Sequence, residues 1–252
     1  MPKSLIRIAT IPVYLIIILS LCMLTQGCLE APGKGTFNRT ETASDFNVQY
    51  DWNYRGYKWT YESIIPKSSY EYFKSKQRIA DYGEYVLNPI DDTEMNHLAD
   101  MFNQKAKEQG WDEAEALTLV LSFVQSMPST SDKVTTGYDE YPRYPVETIV
   151  DGGGDCEDAS ILFASIVRAM GYGVVLLEYI EGHHMAVGVL ISPELVNNWK
   201  QNYALTYYTA PDGRIYAYCE TTGTGWELGH KPEQFISQTA RIIDVSGSGY
   251  GD

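Results

Sequence analysis

The chain has 252 residues, 44% of them hydrophobic, with 33 acidic against 19 basic side chains and a formal net charge of −14. That is enough apolar material for one large domain or two small ones and excludes a disordered chain. The acidic balance speaks against a nucleic-acid partner, which needs clustered Lys and Arg for phosphate, and fits solubility or a saline or cationic setting.

Residues 1–28 read as a signal or anchor segment. Lys3 and Arg7 precede a largely apolar run from Ile8 to Leu24, then Thr25-Gln26-Gly27-Cys28. The run is at the short limit for crossing a bilayer, so length alone does not separate a cleaved signal from a retained helix. Gly27-Cys28 resembles the end of a lipoprotein signal, which makes Cys28 the lipidation candidate, although Thr25 stands where such signals usually carry Leu. Lipidation at Cys28, a retained anchor and release all predict an extracytoplasmic protein, and the first two hold it at the membrane. Residues 29–45, rich in Gly, Pro, Thr and Lys, read as a linker that includes a sequon at Asn38-Arg39-Thr40. The domain is expected over 46–245, with a strand extension at 46–90 and a core at 91–245.

Val48 to Tyr61 carries aromatics on alternate positions around Arg55-Gly56, the period of a half-buried hairpin. A carbohydrate platform would use the same stripe; packing on the domain is the simpler use. Asp91 to Glu94 forms a capping arrangement before a helix that carries Met95, Leu98, Ala99, Phe102 and Ala106 and ends near Gly110. Asp112 and Glu115 repeat the device before Leu117, Val120, Leu121 and Val124, and Pro128 stops that helix. Two prolines predict an extended run over Tyr141 to Thr148.

Gly152-Gly153-Gly154-Asp155-Cys156 then opens a helix that reaches about Met170 and is closed by Gly171. Strands are predicted at Val174–Ile180, His184–Ile191, Thr206–Ala210 and Arg214–Glu220, the last two joined by a turn at Pro211-Asp212-Gly213. A helix followed by antiparallel strands indicates an α+β domain.

Four cysteines are too few for a disulfide scaffold, and two of them belong to the signal region. Cys156 and Cys219 are left, to pair or stay free. A cysteine in the first turn of a helix meets unpaired amides and the helix dipole, which stabilise a thiolate. The glycines before it allow a tight, exposed approach, Asp155 can cap the helix, and the Cys156 amide can donate to an oxyanion. The thiol needs a base in hydrogen-bond reach. His184 is preferred over the alternative His183, because it leads the apolar strand Met185 to Val189 and adjacent strand residues face opposite ways. Glu220, at the end of a strand, supplies the acid that orients the imidazole. Gln125 and Tyr144 are both candidate second oxyanion donors.

GDCEDASILFASIVRAMGY resembles the cysteine-helix motif of the transglutaminase-like superfamily, HHMAVGV its histidine strand, and CETTGTGW its third block. The three blocks stand in the family's order and the resemblance covers about Leu119 to Trp226, with the strand-rich front and YPRYPVETIVDGGGDCED similar to an exported prokaryotic branch. It implies a papain-like, transglutaminase-like core with Cys156 as nucleophile, His184 as base and Glu220 as orienting acid. It also implies acyl transfer through a thioester on a protein or peptide substrate, with no cofactor. Glu in place of the commoner Asp, and Met185-Ala186 in place of His-Ala-Trp, depart from the pattern. Hydrolysis of a peptide or amide bond is the expected outcome; protein crosslinking and a non-catalytic binding module of the same fold are the alternatives. A zinc site is a rival use of Cys156, His183, His184 and Glu220, but no CxxC or HExxH spacing supports it, so no metal ligand is assigned.

Overall fold

The structure is a computed structural model that describes residues 35–200 and 206–245. The signal segment, and with it Cys28, lies outside the described residues. Among those described, no helix is long and apolar enough to cross a membrane.

The chain begins with a three-stranded antiparallel sheet, β1 (Thr36–Glu41), β2 (Asp45–Tyr54) and β3 (Tyr57–Pro66). β1 falls inside the stretch expected to be linker. It pairs along its whole length with β2, Thr36 opposite Asp51 and Glu41 opposite Phe46. Arg55 and Gly56, both at positive φ, turn β2 into β3 as the hairpin pattern predicts. The aromatic stripe is core: Tyr50, Trp52 and Tyr61 are buried, and the rings of Tyr50 and Trp52 lie 5.4 and 5.1 Å from that of Phe123.

Helices α1 (Lys67–Lys74), α2 (Gly83–Val86), α3 (Asp92–Gln109), α4 (Glu113–Ser126) and α5 (Asp132–Thr135) follow. The predicted box at Asp112 and Glu115 is formed, each residue's amide donating to the other's carboxylate at 2.9 and 3.0 Å. The one predicted at Asp91 is not: that residue is helical and its side chain caps nothing. The run predicted as extended folds from Pro145 into α6 (Pro145–Asp151). Proline fits a helix interior badly but suits its first position, where φ is already right and the missing N–H has no partner to lose. Tyr144 is the extended residue before it, and its amide donates to Glu147 at 3.0 Å.

α7 (Cys156–Ala169) is buried along nearly its whole length and packs on β4 (Val174–Tyr179), β5 (His184–Leu190), α3 and α4. After α8 (Pro193–Lys200) come β6 (Tyr207–Thr209), β7 (Ile215–Cys219) and β8 (Arg241–Asp244). The five strands form one antiparallel sheet in the order β6-β7-β5-β4-β8. The fold is α+β, with a cysteine-bearing helix packed on an antiparallel sheet.

Candidate active site

The loop into α7 is fixed from three sides. Tyr50 and Arg39, from the first sheet, donate to the carbonyls of Ile149 and Val150 at 2.6 and 3.0 Å, and Tyr70 donates to Asp151 at 2.8 Å. The first two bonds satisfy carbonyls in the last turn of α6 that have no helical partner, and the third holds the Asp151 side chain. Gly152 then ends the helix at φ +84°, and a Cβ on it would overlap the Phe37 ring. A Cβ on Gly153 would meet the Pro128 carbonyl, and one on Gly154 the Asp158 side chain. The glycine run is therefore required by close packing at each position.

Below the loop lies a buried ion cluster. Arg143, 1% exposed, pairs with Asp132 at 2.8 Å, with Asp158, and with Asp151 at 3.4 Å. Asp158 also accepts from the Arg143 amide at 2.6 Å and the Asp155 amide at 3.3 Å. Asp158 thus anchors the helix start. The sequence reading missed Arg143, which sits in YPRYP with no motif of its own.

His184 begins β5, and its Nε2 lies 2.9 Å from Glu220 Oε2, with side chains 9% and 2% exposed. Glu220 also accepts from Tyr218 Oη at 2.8 Å, the Thr222 amide at 3.0 Å and Thr222 Oγ1 at 2.6 Å. Burial works to raise the Glu220 pKa, but the bond and charge of His184 and the bonds from Thr222 outweigh it and hold the carboxylate below its ordinary value. Phe235 lies parallel to the imidazole with ring centroids 4.3 Å apart. Ser160, one turn after Cys156, donates to the Met185 carbonyl at 3.1 Å and meets Thr221 Oγ1 at 2.9 Å, so helix, histidine strand and third block are bonded together.

His183 is placed differently. It sits in the turn at φ +46° and presents its carbonyl 4.0 Å from the Cys156 sulfur. Cys156 and Cys219 are both free thiols, and Cys219 is fully buried. Neither candidate oxyanion side chain is available. Gln125 Nε2 donates to the carbonyls of Glu220 and Trp226 at 2.7 and 3.0 Å, which uses both its hydrogens. Tyr144 is buried against Phe73 and Tyr85, with centroids 4.8 and 4.5 Å away. The Cys156 amide, at the first helical position, has no intrahelical partner and is the remaining donor.

Cys156 and His184 line one cavity of about 260 Å³ together with Glu140, Glu157, Glu178 and Tyr82. The sulfur is not hydrogen-bonded to an imidazole; its partner is Glu157 Oε2 at 3.2 Å. Burial first, and then the charge and hydrogen bond of Glu157, push the thiol well above its ordinary pKa, against a smaller pull from the Met185 backbone. These influences act against the thiolate that the helix start favours. Asp132, Asp155 and Glu157 each bring a carboxylate oxygen within 4.8 Å of the others. Hard oxygen donors of this kind suit calcium or magnesium rather than zinc. Two of the three flank Cys156 and the third is twenty-odd residues upstream, so no spacing motif discloses the set.

No family model matches the chain, and no curated protein sequence matches it. Among solved structures it is similar to Legionella pneumophila LapG, at 19% identity and a TM-score of 0.36 over 72% of this chain and 88% of that one. The EGTA-treated form of LapG gives 17% and 0.37 over 73% and 91%, and the calcium-bound form 18% and 0.37 over 71% and 86%. What the cavity can do follows from its own groups: a thiol, a buried imidazole already tied to a carboxylate at one nitrogen, and a free helix-start amide.

Proposed function

We propose that this protein is a cysteine enzyme of the transglutaminase-like type, exported and held at the membrane by its N-terminal segment, that cleaves a peptide or amide bond through a thioester. The observation that carries the reading is His184, bonded to the buried Glu220, lining the same cavity as a free thiol at a helix start. With Nε2 committed to Glu220, the tautomer is fixed and Nδ1 is left to exchange protons with the sulfur.

In the proposed step, deprotonation of the thiol accompanies attack. Cys156 Sγ bonds to the substrate carbonyl carbon while His184 takes the thiol proton, and the Cys156 amide donates to the oxyanion. Collapse of the tetrahedral adduct breaks the C–N bond, with His184 returning the proton to the leaving amine. Water, deprotonated by His184, then splits the thioester and restores the thiol.

The test is turnover of a quenched-fluorescence peptide pool together with intact-mass detection of an acyl group on Cys156. Cys156→Ala and His184→Ala are expected to abolish turnover, and Glu220→Gln to lower it by about 10² or more, because the imidazole loses its orienting anion. Turnover surviving in Cys156→Ala would overturn the proposal. Products joined to an added amine in place of water would reassign the second step to crosslinking.

A further inference from the structure

Separate from the cysteine's cavity, with which it shares no lining residue, is a larger groove of about 970 Å³, lined by Gly152, Gly153 and Gly154, the cations Arg39, Lys74 and Arg143, and the aromatics Tyr138 and Tyr141. Three cations converge here in a chain whose formal charge is −14. The groove's acid, Asp151, is already engaged by Tyr70 at 2.8 Å, Arg143 at 3.4 Å and Arg39 at 3.6 Å. Arg143 is buried and neutralised by Asp132 and Asp158.

The other two cations keep capacity to spare. Arg39 commits Nη1 to Val150 and Asp151, and among the described residues its Nε and Nη2 have no hydrogen-bond partner. Lys74 donates to Tyr70 Oη at 2.6 Å, lies over that ring, and has no carboxylate within ion-pair distance among the described residues. Thr130, Thr135 and Thr136 line the same groove, the Thr135 hydroxyl accepting from Arg143 at 2.7 Å and the Thr136 hydroxyl donating to the Asp132 carbonyl at 2.8 Å, and Tyr138 is 64% exposed and stacked on Tyr141 at 5.9 Å. The cavity beside Cys156 carries Glu140, Glu157 and Glu178 on its walls, with Glu178 paired to Arg241.

We infer that this groove binds an acidic stretch of extended polypeptide, on one flank of the bond that Cys156 attacks. Its role as a substrate subsite rests on the acyl-transfer reading; its capacity to bind acidic peptide does not. Carboxylates of the peptide take the unspent donors of Arg39 and the Lys74 ammonium, while its backbone meets the threonine hydroxyls and its side chains the Tyr138 face.

The test uses the full chain carrying Cys156→Ala, in detergent, and measures fluorescence anisotropy of a short labelled peptide rich in Glu and of its Gln counterpart. The Glu peptide is expected to bind at least tenfold more tightly at low salt, against the net charge of the protein, and the preference to fade as salt screens the pair. Lys74→Glu should erase the preference, whereas Lys58→Glu, the same charge change at an exposed site on β3 outside the groove, should leave it. Equal binding of the two peptides, or equal effects of the two variants, would overturn the inference. Binding is read without the nucleophile, so absence of turnover in the parent chain would count against the acyl-transfer reading and not against the groove.

Discussion

Beside Cys156 the decisive neighbour is Glu157, 7% exposed and 3.2 Å from the sulfur. Burial, and then the hydrogen bond and charge of Asp155, push Glu157 itself up to about 9; above that pH its charge opposes the thiolate, so Glu157→Gln is expected to shift the pH midpoint of Cys156 alkylation by iodoacetamide downward. An unchanged midpoint would show that burial alone sets the thiol. A second buried acid sits far from the chemistry. Asp91 is 3% exposed and neither carboxyl oxygen has a well-formed hydrogen bond among the described residues. Burial pushes its pKa from the ordinary 3.8 up to about 8, against the pull of the Val146 amide and with help from Glu147 and Asp92. The folded chain therefore holds a proton that the unfolded chain releases between those values. This contribution to stability is intact below about pH 4 and is lost as pH rises toward 8. Asp91→Asn should flatten that slope and raise the melting temperature at pH 8 relative to the parent; parallel pH profiles for the two proteins would refute it.

Elements announced by local pattern were legible in the sequence, and those made by distant partners were not. α4 carries its own capping box, the β2–β3 hairpin its alternating aromatics, and α7 a glycine run, a cap and a buried stripe, so each could be read without knowing what it packs on. His184 and Glu220 were legible because each stands at the end of an apolar strand. β1 shows no alternation, since five of its six residues are exposed and its worth lies in pairing with β2 and in Phe37 reaching Gly152. The engagement of Gln125 was hidden for a similar reason: its partners lie about a hundred residues away in sequence. At Gly152 two costs combine, the left-handed backbone and the Phe37 ring. Gly152→Ala should lose about 1–3 kcal/mol in denaturant melts, and adding Phe37→Ala should recover part of it. A neutral Gly152→Ala would show that the loop yields more easily than its packing indicates.

Across the molecule, the two sheets do different work. The five-stranded sheet holds the imidazole and its acid, while the three-stranded one, through Tyr50 and Arg39, and α1, through Tyr70, hold three successive residues of α6 in the segment that delivers the thiol. The thiol's setting is thus shared between chain ends that are remote in sequence. Because β1 is the first strand described, a pull applied at residue 35 loads it directly, and its Arg39 and Phe37 grip the turn before the nucleophile. Peeling β1 would slacken that turn while α7 and the larger sheet stay folded. In a single-molecule stretching experiment, an early low-force step should precede global rupture and coincide with faster alkylation of Cys156; rupture in one step would show the strand is not a separate mechanical unit. Were the chain anchored by its N-terminus, as proposed, tension on it would pass through β1 to the turn before the sulfur, making the strand in effect a force gauge wired to the reactive centre.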